Sequence, residues 1–290
     1  MEIKHVEKPA KSSRFHDFWV SFKKQKVSLI SAVFLLLLFI VALFGQYFVP
    51  YDPAKVDYGQ LFLKPSAAHL AGTDAYGRDI FSRILVGARI SLSVGLSSVF
   101  LGALAGSALG IISGYFGKWI DSLIMRFCDI LLAFPGMLLA IGIIAILGTG
   151  LMNVIFAVAI FSVPVFARIV RSSVLEMKSS LYVEAAKSTG AKDTRIILKH
   201  VLPGTFSTII VYFTMRIGSA ILIAAGLSFL GLGADPSTPE WGAMLSDGHN
   251  YLNTAPHVTI FPGLAIFLTV LAFNLLGDGL RDALDPKIKD

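Results

Sequence analysis

Charge is scarce in this chain, and cysteine is almost absent. Only 15% of the 290 residues are Asp, Glu, Lys or Arg, and the one cysteine, Cys128, stands inside an apolar run. A lone thiol cannot close an internal disulfide, and nothing around it supports thiol catalysis or a cysteine metal site. No stretch reads G-x-x-x-x-G-K-[ST], so the loop that cradles phosphate in P-loop ATPases is missing. The six histidines, His5, His16, His69, His200, His249 and His257, show neither H-E-x-x-H spacing nor cysteine partners, which argues against a metal or hydrolytic centre. The formal charge of +6 does not point to nucleic acid, because the basic residues flank hydrophobic runs rather than cluster on an aromatic-bearing domain.

What the chain has in abundance is apolar surface: 55% of the residues are hydrophobic and the mean hydropathy is +0.72. A soluble chain of this size needs a larger charged surface. Lipid accepts apolar side chains and rejects only unpaired backbone groups, so the composition predicts an all-α membrane protein. Six runs approach the ~20 residues that cover a hydrocarbon core. They lie at 27–49, 91–115, 122–147, 152–170, 205–232 and 258–280, the end of the fourth blurred by Pro164, Arg168 and Arg171. The first run is too long for a signal-peptide core and lacks a small-residue cleavage site, which predicts a retained helix.

Lysine and arginine set the orientation. With the N-terminal tail inside, 19 of them fall in the tails, around Lys118 and Arg126, and in the loop at 171–204 with its approach, against five outside. The bias predicts cytoplasmic termini. The chain then divides into an inside tail (1–26), a first span (27–49), an outside loop (50–90), a five-span core (91–280) carrying the inside loop, and an inside tail (281–290). The first outside loop is expected to be irregular over 51–73 and amphipathic at the membrane face over 77–88. Trp241 is expected to anchor the second outside loop at the lipid interface.

Within the core, Gly102, Gly106, Gly110 and Gly114 recur every four residues and share one helical stripe where another backbone can approach closely. The stripe serves either packing within the chain or a subunit interface. Arg216 stands about 12 residues into the fifth span, a costly depth for a charge, so it faces a cavity or pairs with an acid such as Asp129. Pro135 and Gly136 beyond Asp129 are placed to bend the third span. Asp278, Arg281 and Asp282 at the end of the sixth span read as a salt-bridge cluster or surface.

The inside loop is the only long charged, helix-forming segment between hydrophobic blocks. Tyr182, Ala185, Ala186 and Thr189 repeat at helical spacing, with Glu184, Lys187 and Ser188 on another side. Gly190 supplies the positive φ that ends a helix, Asp193 is placed to cap a second short helix, and Pro203 marks the boundary before the fifth span. From pattern alone the loop is either a docking element or a solvated basic loop that only sets topology.

Residues Glu184, Ala185, Ala186 and Gly190, with Ile197 and Leu202-Pro203, resemble the EAA loop of membrane subunits of ABC importers. The stretches GTDAYGRDIFSR at 72–83, LSFLGLGADPSTPEWGAML at 227–245 and LLGDGLRDALDPK at 275–287 are similar to C-type permeases of dipeptide, oligopeptide, glutathione and nickel importers, with a particular likeness to glutathione permeases near the C-terminus. The resemblance implies a type I importer fold with six spans, in a bacterial or archaeal plasma membrane. It also implies a second homologous permease, two ATPase subunits that hold ATP and Mg, and an extracytoplasmic binding protein. Under it, Tyr182, Glu184, Ala185, Ala186, Gly190, Leu202 and Pro203 couple the ATPases to the spans; the depth of Arg216 and the nearness of Asp129 to the cytoplasmic end make these two the candidates for the translocation pathway. The cargo is a peptide, with nickel or another metal chelate as the alternative. The rival classes are a secondary transporter, against which the paucity of intramembrane carboxylates counts, and a scaffold or channel subunit.

Overall fold

The computed structural model describes residues 14–284; Lys4, Lys8, Lys11, Lys287 and Lys289 of the two tails lie outside the described residues. Eleven helices are named here: α1 (Arg14–Lys24), α2 (Lys26–Phe44), α3 (Ile80–Phe116), α4 (Lys118–Leu132), α5 (Gly136–Leu147), α6 (Leu151–Lys178), α7 (Leu181–Ser188), α8 (Asp193–Ile196), α9 (Leu202–Phe229), α10 (Trp241–Gly248) and α11 (His257–Leu284). Among the described residues, five helical stretches are long and apolar enough to cross a membrane. The pair α4 and α5, bent by 93° at Ala133–Pro135, makes a sixth if it counts as one span. Pro135 is the break: it cannot donate a backbone hydrogen bond, and the residue before a proline is pushed out of the helical region.

The bundle is organised around the pairing of α3 with α6. A Cβ added at Gly102 would lie 2.8 Å from the Ala159 carbonyl oxygen, and one at Gly106 only 2.4 Å from that of Val163. At Gly110 and Gly114 the corresponding approaches are 2.6 Å to the Ala167 oxygen and 2.9 Å to Val174. The stripe therefore packs within the chain, against α6, over four successive turns. Lipid offers no hydrophobic drive for helices to associate, so this close van der Waals contact is what holds the two together. Arg171 of α6 adds a bidentate grip on Asp121 of α4, 2.5 Å at both Nε and Nη2, and Ser113 of α3 donates to the same carboxylate.

Helix α3 starts earlier than its apolar run suggests. Its 37 residues span about 55 Å at 1.5 Å each, well beyond a ~30 Å hydrocarbon core. Residues 80–88 thus belong to α3 rather than to a segment lying on the membrane face. The Asp79 carboxylate caps its N-terminus by accepting the Ser82 N–H at 2.8 Å, and also accepts His69 Nδ1–H at 2.9 Å. Segments 50–79 and 230–256 close over this end of the bundle. Arg83, only 1% exposed, donates to the carbonyls of Pro53, Ser237 and Thr238, while Arg78 bridges Asp74 at 2.6 Å and Asp247 at 3.1 Å. Burial pushes the Asp247 carboxyl above its ordinary range although Arg78 pulls the other way. Trp241 is not a lipid anchor: it is 1% exposed, and its indole N–H donates to the Ile84 carbonyl. Glu240 beside it caps α10 and accepts the Ser91 hydroxyl.

The fourth span does not stop at 170. Pro164 is buried inside α6, and the helix runs on to Lys178. At the end of α11, the Asp282 carboxylate accepts a long 3.5 Å bond from Gln25.

Replacing Gly106 with leucine should force α3 from α6 and cost on the order of 1–3 kcal/mol. Thermal unfolding in detergent is expected to fall by several degrees. The same change at Gly142, where no atom lies within 4 Å of the added Cβ, should leave the midpoint nearly unmoved.

Candidate functional site

Two features stand at the end of the bundle opposite Asp79: the short helices at 181–201, and a polar lane running up between α6 and α9.

Helix α7 ends in a complete reversal. The Gly190 N–H bonds to the Lys187 carbonyl at 2.9 Å and the Ala191 N–H to that of Ala186 at 3.1 Å, with Gly190 at φ +79°. This is the Schellman arrangement, in which glycine takes the left-handed position and the residues flanking the reversal touch. Ala186 and Ala191 both pack onto a small second core of Tyr115, Val170, Val174, Val183, Ile196 and Val201, separate from the main one. Contributions come from the ends of α3 and α6, from α7 and α8, and from the turn before α9. The helical face at 182, 185, 186 and 189 is therefore divided: Ala186 turns partly inward, while Tyr182, Ala185 and Thr189 stay exposed with Glu184.

Polar contacts centre on Tyr115, whose hydroxyl donates to Asp193 at 2.6 Å and whose carbonyl accepts Lys178 at the same distance. The Lys187 ammonium lies 5.4 Å from its ring centroid, within cation–π range. Asp193 does not cap α8. It is the first helical residue after Lys192, and its carboxylate is committed to Tyr115, a partner 78 positions away that local pattern could not supply.

Nor does Pro203 separate the loop from the fifth span. From Asp193 to Phe229 the chain is one continuous helical stretch, widened over Ile197–Val201 into a π turn, where the Leu202 N–H reaches back five residues to the Ile197 carbonyl. Proline in a regular helix clashes with the carbonyl four residues back, and the wider turn relieves that clash. Helices α8 and α9 are thus joined by unbroken helical backbone, with α7 linked to α8 through the Gly190 reversal. Facing away from the second core, Leu181 is 84% exposed and Leu198 66%, an apolar edge beside half-exposed Tyr182.

The polar lane follows from spacing four residues apart: Arg168, Ser172 and Glu176 on α6 face Thr208 and Tyr212 on α9. Two adjoining grooves of about 370 and 420 Å³ lie along it, and Arg281 of α11 lines the lower one. Arg216 is one turn beyond Tyr212. It does not pair with Asp129, which Arg168 holds at 2.7 Å in an ion pair more than half exposed on both sides. Such a pair contributes about 0–1 kcal/mol. Arg216 instead lies 5.2 Å from the ring of Phe161, with Nε and Nη2 buried and without hydrogen-bond partners. Phe161 is seated against the α4–α5 break, where a Cβ at Gly136 would meet its ring at 2.4 Å. Among the described residues no group of His, Cys, Asp and Glu is placed to hold a metal ion.

Residues 106–290 match the family model of the binding-protein-dependent transport system inner membrane component, and residues 13–65 that of the N-terminal transmembrane domain of oligopeptide transport permease C. The chain belongs to this family of transport permeases. The permease is 58% identical over 276 residues to the glutathione transport system permease protein GsiD of Escherichia coli O6:K15:H31, an alignment covering 95% of this chain and 91% of that one. It is 56% identical to the protein of the same name from Pectobacterium atrosepticum, over 95% and 92%. Its fold is that of a type I importer permease: a solved chain of the inward-facing MetNI methionine ABC transporter superposes with TM-score 0.57 at 20% identity, over 70% of this chain and 97% of that one. An amino acid ABC transporter solved with histidines gives 0.53 at 16%, over 68% and 92%. The permease is thus a multi-pass membrane subunit of an ABC importer.

Substituting Gly190 with valine should strain the left-handed position by about 1–2 kcal/mol without crowding any neighbour, since no atom lies within 4 Å of its Cβ. Amide exchange over 181–191 should accelerate about fivefold to thirtyfold while the bundle's unfolding midpoint holds, and Gly190→Asn should be milder.

Proposed function

We propose that this permease forms half of the pathway of an ATP-driven importer of glutathione and related peptides, moved by separate ATPase subunits that grip α7. The carrying observation is the exposed edge of Leu181, Tyr182 and Leu198 on helices whose other face is locked into the second core. A partner seated on that edge moves the ends of α3, α6 and α9 together. The complex comprises this chain, a second homologous permease, two ABC ATPases that hold ATP and Mg, and an extracytoplasmic binding protein. Both termini and the 181–203 loop face the cytoplasm, and segments 50–79 and 230–256 receive the binding protein. Glutathione is the cargo named for relatives at 56–58% identity.

In this reading the chain itself performs no bond chemistry. Closure of the ATPases on ATP draws the α7 helices together and turns the attached spans outward-open, and the loaded binding protein releases cargo into the lane between α6 and α9, with Asp129 and Arg168 at its rim. Hydrolysis returns the spans inward. Each state is populated only through the differential binding of ATP and of the loaded receptor.

The test is uptake of glutathione by the reconstituted complex. Vanadate-sensitive uptake that ignores a proton gradient is expected, whereas proton-driven uptake without ATP, or uptake confined to a nickel chelate, would overturn the reading. Leu181→Asp should weaken ATPase co-purification about tenfold or more, since a leucine covered completely on docking would contribute about 1.5–3 kcal/mol.

A further inference from the structure

We propose that Arg216 is an anion-binding residue of the pathway, positioned to take a carboxylate of the transported peptide on its Nε–Nη2 edge; this rests on the peptide-importer reading above.

The edge is identified by its unmet hydrogen bonds. Nε and Nη2 are the two Arg216 nitrogens that are both buried and unpartnered. They are also the two by which Arg171, ten residues below the Phe161 level on α6, grips Asp121 in the same molecule. Side-on, a guanidinium presents two parallel N–H groups at the spacing of carboxylate oxygens, so the partner that satisfies both at once is a carboxylate. No acid among the described residues supplies it. Asp129 is engaged by Arg168, and Glu176 stands level with Thr208, roughly 12 Å down α9 at 1.5 Å per residue.

Position matters as much as chemistry. Arg216 is near the middle of α9, and an intramembrane cation there is expected to face a pathway or a partner. On α9 it stands one helical turn beyond Tyr212, past the residues that line the Ser172, Thr208 and Tyr212 lane. In this conformation the edge is shut from solvent and the Phe161 ring covers one face of the guanidinium. The anion site is therefore available only when the groups packed around this edge have parted. Cargo binding and the open state are then favoured together, which is how a ligand biases a two-state equilibrium. Glutathione carries two carboxylates and meets the requirement; a neutral solute does not.

The experiment uses the complete complex in proteoliposomes with glutathione as probe, comparing wild type, Arg216→Gln and Arg216→Lys. Arg216→Gln should lower the saturated uptake rate at least tenfold while ATPase activity stimulated by loaded binding protein stays within twofold. Arg216→Lys, which keeps the charge but loses the fork, should recover at least a third of the rate. Uptake by Arg216→Gln within twofold of wild type would overturn the proposal. So would loss of the second permease from the purified complex or a collapsed unfolding midpoint in Arg216→Gln, because the cation would then serve assembly. An inactive wild type would instead count against the glutathione reading itself.

Discussion

Helices in lipid have little reason to touch, and everything in this molecule follows from how two of them are made to. Four glycines a turn apart bring the backbone of α3 onto that of α6 with no room for a single added methyl group. The contact fixes their register along four turns, and it is at the two ends of this rigid pair that the chain places its polar work. At one end a buried network of Asp74, Arg78, Arg83 and Asp247 fastens two long connections over the start of α3. At the other, Tyr115 gathers Asp193, Lys178 and Lys187 and ties the short helices to the same two spans.

Division of labour between the two cores follows. The larger one holds the spans together; the smaller one belongs to the junction, where every contributing element ends or begins. Residues facing into it cannot move separately, while Leu181, Tyr182 and Leu198 on the outside leave an uncovered apolar edge. In the proposed importer the work comes from separate ATPase subunits, and a stiff junction with one open face is a suitable receiver.

Much of this was legible from the residues. Apolar length and the scarcity of charge announced a multi-span helical protein, and several long motifs in order announced its family. The break at Pro135 and the left-handed Gly190 follow from backbone chemistry that a sequence carries openly. What pattern could not supply was long-range pairing. Asp193 looks like a helix cap until Tyr115 claims it, and Trp241 looks like an interface anchor until two loops fold over it. Arginines at 78 and 83 resemble a surface segment because, Asp74 apart, the groups that bury them lie far along the chain, at Pro53, Ser237, Thr238 and Asp247. Pro203 reads as a stop because helix-breaking rules assume regular turns, and a widened turn evades the rule.

That widened turn at Ile197–Val201 also fixes azimuth. A five-residue turn inserts one residue beyond the regular count, and each residue of an α-helix rotates the chain by about 100°. Were the turn shortened by one residue to regular geometry, with α7 and α8 still held by Tyr115, everything downstream on α9 would swing by about that angle. Thr208, Tyr212 and Arg216 would then look toward lipid or a neighbouring helix instead of toward α6. In the proposed importer the irregularity is thus a phase-setting joint between the helices an ATPase would push and the face of α9 that would meet cargo.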